Sequence, residues 1–424
     1  MMSAAPPPPA NTEHHLAVFG DLFDIPDRAL KTLGDGVRIT LFVPRSRLAA
    51  CDGVEHAHAV VALADDADAT AWTEAVRAVH AAVPLTHALA LVDHLAYEAA
   101  VAMSAIGIPF HAPTTMERVA DKALMRRALD ERGLYPVPFR LATGLDEARA
   151  AALGIGLPCV FKPVSGTGSA GAVMVGDEKE IAAAHHEASG HGQDVLVEKF
   201  MTGPQYSVEA LSENGRHLVL AITRKYSDPA TLVELGHVMP APLSEDEAAA
   251  VSRCAEDVLD AVGLTYGPSH TEVILGPGGP VPIETHARVG GDDIWLMVHA
   301  ATGVDLDTVQ PDQALGRNVL DEALSALRTH APRRPYQAVW FGAAREATTF
   351  TGADLPSGEH VQVTALRAEG DPVRPLASTN DRAVKVRATG TTAEEALTLA
   401  RETAAEACAA LSLDLSLTDP SRTL

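Results

Sequence analysis

The chain has 424 residues, 47% apolar and 21% charged, with 56 Asp and Glu against 33 Lys and Arg and a formal net charge of −23. This length predicts two to four domains at roughly 100–200 residues each, and the composition is that of a globular protein, not a disordered one. The acidic excess excludes a general nucleic-acid binder, which must present a basic face to phosphates, but not a phosphorylated small molecule held by a few lysines and a metal. Cys51, Cys159, Cys254 and Cys408 lie far apart with no C-x-x-C. Neither a zinc knuckle nor a disulfide framework is signalled, and reduced buried thiols are expected.

The opening MMSAAPPPPANTEHH has neither the basic nor the apolar segment of a signal peptide. Pro6 to Pro9 predict an extended tail over 1–15. No run of about 18 apolar residues occurs, so no membrane span is expected and the chain reads as cytoplasmic.

Over 16–112, LAVFGDLF, RITLFV, HAVVAL and HALALV read as buried strands. ALKTLGDG and 69–82 between them have helical spacing. Strand–helix alternation predicts a parallel sheet with helices on both faces. A helix is expected over 116–132, ended by Gly133. Beyond 134, strand-like runs crowd together, several separated by hairpin turns such as Glu213-Asn214-Gly215. Two helical stretches, 178–189 and 245–262, interrupt them, which predicts α+β structure with an antiparallel sheet. A third segment follows residue 325, and its last helix, 392–411, begins at a threonine suited to capping.

Gly166, Gly168 and Gly171 in SGTGSAG formally match G-x-G-x-x-G. A dinucleotide fingerprint requires a following helix. Here AVMVGD follows, so the pattern is strand–loop–strand. It reads as a flap whose small residues, Ser169 among them, let backbone N–H groups approach phosphate oxygens. Lys162 just before it supplies a point charge. A surface hairpin with an ordinary lysine is the alternative.

HTEVIL-GPGGP-VPIETHAR carries the most information. With Gly276–Pro280 as a five-residue loop, Leu275 pairs with Val281 and Glu272 falls opposite Glu284. Directly opposed residues have Cβ atoms roughly 4.5–5.5 Å apart, and like charges there destabilise a sheet. Something positive must lie between them, and carboxylate pairs select hard cations such as Mg²⁺ bridging phosphates. Alternation puts Glu284, His286 and Arg288 on one face, with His270 opposite His286. His286 could ligate the metal, orient Glu284 or meet substrate. A register slip that turns one glutamate to solvent is the alternative. Gly290 and Gly291 precede Asp292 and a helical pattern, a placement suited to receiving an oxyanion or carboxylate.

The lysine, the flap, the VEKF strand and the paired glutamates, in this order, resemble the ATP-grasp superfamily, and among its members the carboxylate–amine ligases, including the L-amino-acid ligases that make dipeptides. The resemblance implies a Rossmann-like domain over 16–112, a split ATP-grasp domain over 113–325 with a small flap subdomain at about 134–197, and a C-terminal α+β subdomain over 326–424. It implies that Lys122 and Lys162 bind ATP phosphates and that the strand at Glu198 bonds adenine through the backbone around Lys199 and Phe200. Gln205 falls at a ribose position usually held by glutamate. Glu272 and Glu284 match ligands of two Mg²⁺ ions, with Mn²⁺ as a substitute, and His286 stands where asparagine is usual. Arg288 matches the arginine that stabilises the transferring phosphoryl group. His237 matches a histidine near the acyl substrate, with a surface-turn histidine as the alternative. Gly290, Gly291 and Asp292 border the substrate pocket. Asp292 reads either as the partner of a substrate ammonium or as the cap of the helix from Ile294.

The activity so implied is ADP-forming ligation of a small carboxylate, an amino acid by the likeness, to an amine through an acylphosphate in secondary metabolism. Homodimerisation is left open, and neither a nucleic acid nor a membrane is an expected partner. The rivals are a carboxylase of the biotin or purine type, though no A-M-K-M carrier segment is present, and a non-catalytic ATP-binding protein.

Overall fold

The structure is a computed structural model, and it describes residues 14–20, 33, 36–51, 54–166, 168–190, 194–352, 354–411 and 413. The expected tail at Pro6 to Pro9 and most of the helix expected in ALKTLGDG lie outside the described residues.

Strands β1 (His14–Phe19), β2 (Val37–Pro44), β3 (Ala59–Leu63) and β4 (His87–Ala90) form a parallel sheet in the order β3-β2-β1-β4. Burial on both faces explains why β1 and β2 read as unbroken apolar runs, while β3 at the sheet edge is partly exposed. Leu16, Val18, Ile39 and Leu41 pack on one face. Ala17, Phe19 and Phe42 pack on the other, against Trp72 and Met103 of the helices Ala69–Ala82 and Ala96–Ile106. The first of these helices starts where Asp68 accepts a bond from Ala71 N–H.

The single helix expected over 116–132 is two: Pro113–Ala120 and Lys122–Asp130. The break is at Asp121, which is extended and whose side chain accepts from the N–H of Ala123 (2.7 Å) and Leu124 (2.9 Å). An aspartate at that point offers the backbone a cap instead of a continuing helix. The restart makes Lys122 the first residue of its helix.

Strands β5 (Phe139–Ala142), β6 (Cys159–Pro163), β7 (Val173–Val175) and β8 (Val195–Lys199) form a small antiparallel sheet, β5-β8-β6-β7. The glycine-rich segment joins β6 to β7, strand to strand as read.

The large sheet contains β9 (Gln205–Glu213), β10 (Arg216–Ser227), β11 (Glu234–Met239), β12 (Gly267–Gly276), β13 (Gly279–His286) and β14 (Tyr336–Gly342). After the short β15 (Thr348–Thr349) come β16 (Val361–Ala365), β17 (Pro372–Val373) and β18 (Val384–Gly390). The order is β13-β12-β9-β10-β11-β14-β18-β16. Strands from the C-terminal segment thus continue the sheet that carries the paired glutamates. The helix Ala393–Ala410 covers β14 and β18 and buries Ala396, Ala400, Ala404 and Ala407 in the same core. Among the described residues no helix is long and apolar enough to cross a membrane. The four cysteines are buried and none is in a disulfide.

Candidate active site

The β12–β13 hairpin brings Glu272 opposite Glu284 and His270 opposite His286, as read, but by a different route. The loop is not five residues long. Gly276 pairs with Gly279, leaving Pro277 and Gly278 as a two-residue turn, and Leu275 meets Pro280. A bulge between Glu272 and Val273, with Ile283 as the extra residue, then restores the register.

Each glutamate has its own cation. Lys225, on β10, pairs with Glu272 and with Glu234 (2.5 Å). Lys122 pairs with Glu284 (2.8 Å) and donates to the carbonyl of Gly166 in the flap (2.8 Å). Burial alone would push Glu272 up, but Lys225 holds it down at about 2. Lys122 likewise overrides burial to keep Glu284 well below the usual carboxylate range. The positive charge that the opposed glutamates demand is therefore supplied first by lysines.

Of the roles open to His286, its contacts fit that of orienting Glu284. Its Nδ1 lies 3.1 Å from Asp93 and its Nε2 3.3 Å from Glu284. Burial would lower its pKa, and the Asp93 and Glu284 carboxylates raise it. Among the described residues no group of three or more His, Cys, Asp or Glu side chains is placed to hold a metal ion. Glu272 and Glu284 offer hard oxygen donors that suit Mg²⁺, an ion that takes one or two carboxylates and completes its shell with phosphate and water.

Two cavities meet at this pair: Glu272, Glu284 and Ser169 line both. The first also takes in Lys122, Lys162, Gly166, Phe200 and Gln205. In it Lys162 pairs with Glu198, which also accepts from Arg126 Nε at 3.0 Å. Burial would raise Glu198, but Arg126 and Lys162 hold it at about 2. The side chain of Glu198 thus positions Lys162. The N–H groups of Lys199 and Phe200 donate to the carbonyls of Pro138 (3.0 Å) and Pro158 (3.3 Å). Gln205 lines the same cavity. Its amide donates to Glu272 (2.9 Å) and accepts from Ser227 (3.4 Å), so it steadies the carboxylate.

The second cavity takes in Gly168, His237, His286, Arg288, Gly291 and Asp292. Arg288 donates from Nε to Asp93 (2.7 Å). His237 is no surface-turn residue: it is 1% exposed on β11, with Nε2 3.2 Å from Asp292. Gly290 lies beneath the wall, where an added Cβ would come within 2.8 Å of His270 Nδ1. Both readings of Asp292 are corrected. It does not cap the helix Ile294–Thr302, whose N-cap is Asp293, without a side-chain cap bond. Nor is its charge open to a substrate ammonium, because Arg382 grips it through two bonds of 2.8 and 2.6 Å.

Sequence reasoning missed Asp93, Arg126, Lys225 and Arg382. Asp93 did interrupt an apolar stretch, and Arg126 follows Lys122 by one helical turn. Lys225 and Arg382 carry no local signal.

A strand-to-strand glycine flap over a lysine- and carboxylate-lined cleft defines an ATP-grasp fold. The ATP-grasp domain family matches residues 155–295. Over 94% of its length the chain superposes, with a TM-score of 0.78 and 24% identity, on 98% of an L-amino acid ligase from Bacillus licheniformis. It is 33% identical over 206 residues to the uncharacterized protein y4rH of Sinorhizobium fredii, matching 47% of this chain and 42% of that one. It is 26% identical over 217 residues to a D-alanine–D-alanine ligase of Anaeromyxobacter dehalogenans, matching 49% of this chain and 67% of the ligase.

Proposed function

We propose that the chain is an ATP-dependent carboxylate–amine ligase that makes an amide bond and releases ADP and phosphate. The observation that carries this reading is the junction of two cavities at Glu272 and Glu284. A nucleotide in the first would point its terminal phosphate at the second, where Arg288 stands.

A carboxylate oxygen attacks the γ-phosphorus and the bond to ADP breaks, leaving an acylphosphate. An amine nitrogen then attacks the acyl carbon, phosphate leaves, and the nitrogen loses a proton. Lys162 and Lys122 hold phosphate oxygens, and Arg288, oriented by Asp93, faces the transferring group. Glu272 and Glu284 would hold Mg²⁺, which supplies charge neutralisation on the phosphates. The flap, tied to Lys122 through Gly166, keeps water from the acylphosphate. Amino acids as substrates, and a place in secondary metabolism, rest on the likeness to amino-acid ligases.

The test is incubation with Mg-ATP and pairs of amino acids, reading ADP and new masses together. ADP with a dipeptide mass supports the reading. AMP with pyrophosphate, or ADP that depends on bicarbonate alone, overturns it.

A further inference from the structure

The turn after Arg288 has a backbone that its own sequence does not explain. Asp292 and Asp293 have φ of 55° and 63°, two successive non-glycine residues in the left-handed region. Such outliers persist only where surrounding structure over-determines them. No capping bond holds them, as shown above. Both carboxylates reach instead to the far C-terminal segment. Arg382 grips Asp292 with two nitrogens, and Lys385 on β18 meets Asp293 at 2.9 and 2.8 Å.

Arg382 is itself immobilised. Its Nε donates to the Thr379 carbonyl (2.9 Å), one terminal nitrogen reaches the Glu234 carbonyl (3.3 Å), and its guanidinium lies 3.7 Å over the Phe341 ring. The turn before it is fixed by Asp381, whose carboxylate accepts from the N–H (2.9 Å) and hydroxyl (3.0 Å) of Ser378. A rigid base thus grips a strained turn, and a planar two-bond grip fixes orientation as well as distance.

We propose that Arg382 is a positioning residue for the ligation reaction: it holds Asp292 left-handed and so keeps Gly291 in the wall of the second cavity. Without it, Asp292 relaxes toward right-handed backbone and Gly291 leaves the wall. This inference rests on the ligase reading for its functional part but not for its structural part.

The test compares the full chain with Arg382→Ala, Arg382→Lys and the double variant Arg382→Ala/Asp292→Gly. Amide hydrogen exchange over 288–294 should quicken at least about tenfold in Arg382→Ala, while the 267–286 hairpin keeps its protection. With an accepted substrate pair, turnover should fall at least about tenfold while the Michaelis constant for ATP stays within about twofold. Arg382→Lys keeps charge but not the fork, and should lie between. Glycine takes positive φ without strain, so the double variant should regain part of the lost turnover. Unchanged exchange over 288–294 in Arg382→Ala overturns the proposal, as does a double variant no better than the single one. If Arg382→Ala does not fold, Arg382→Lys carries the same comparison. A chain that makes no ADP with any pair overturns the ligase reading, and the exchange measurement still decides the clamp.

Discussion

Glu272 and Glu284 face each other across the β12–β13 hairpin, and each is neutralised from a different element: Glu272 by Lys225 of β10, Glu284 by Lys122 at the start of its helix. Lys225 is 3% exposed and also holds Glu234. Burial would lower its pKa, but the two glutamates raise it far above the usual lysine value. Lys225→Met leaves Glu234 and Glu272 buried without that lysine, with His270 Nε2 still near Glu272 at 3.5 Å. Breaking a buried pair from one side costs about 3–5 kcal/mol. Urea unfolding should show a loss of that order, and a loss below about 1 kcal/mol would mean that water reaches the pair.

The flap makes a tight contact with the C-terminal segment. Gly168 has φ +69°, and a Cβ there would lie 2.6 Å from Thr379 Oγ1. Gly168→Val should raise the Michaelis constant for ATP and cut turnover, since a β-branched residue resists positive φ and pushes the flap off its seat. Pairing it with Thr379→Ala removes the clash but not the backbone strain, so kinetics should recover in part. A change in melting temperature with unaltered kinetics would show that the flap takes no part in nucleotide binding.

Local chemistry made much of this architecture readable. Ser244 and Glu247 form a capping box where the helix Glu245–Val262 was expected, and Asn214-Gly215 turns between β9 and β10 with φ of 53° and 72°. The pairing of the glutamates was also legible, though two offsets, a shorter loop and a bulge, cancelled. What stayed hidden came from distance along the chain. Arg288 and Asp93 are 195 residues apart, and Arg382 and Asp292 are 90 apart. Periodicity says which face a residue occupies, not which remote element will meet it. Asp292 illustrates the point: its residue type and position suggested a cap or a partner for a substrate ammonium, while a cation from the C-terminal segment meets it.

His111 gives a pH signature away from the cleft. Its ring stacks on Tyr266 at 4.3 Å, and its Nδ1 is buried with no hydrogen-bond partner among the described residues. Burial pushes its pKa down from 6.5 to about 4. Between those values the unfolded chain binds a proton that the folded chain refuses, so unfolding is favoured as pH falls. The stability from neutral His111 is complete above 6.5 and lost progressively toward 4, by roughly 1–3 kcal/mol. His111→Phe keeps the stack and removes the titration. The stability difference between the variant and the parent should be flat above pH 6.5 and grow in the variant's favour below it. A difference independent of pH would show that the ring is open to water.

Gln205 tests how the carboxylate pair balances its charge. Its amide nitrogen donates to Glu272 at 2.9 Å, beside a glutamate that already faces Glu284. Gln205→Glu keeps the shape, removes that donor and brings a third negative charge close to the pair. Like charges at such range disfavour ionisation, so one carboxylate must take up a proton or the site must loosen. In buffer freed of divalent ions the variant should melt several degrees lower, since about 1 kcal/mol moves a melting temperature by roughly 2–4 °C for a domain of 150–250 residues. Added Mg²⁺ should recover part of that loss, because three carboxylates make a better hard-cation site than two, and an ion that binds only the folded state stabilises it by mass action. The parent chain, with Lys122 and Lys225 already on its two carboxylates, should gain less from Mg²⁺ alone. Melting curves of both proteins over a Mg²⁺ series, without nucleotide, give the comparison directly. A variant as stable as the parent in metal-free buffer and indifferent to Mg²⁺ would show that the Gln205 side chain does not face the glutamates in solution.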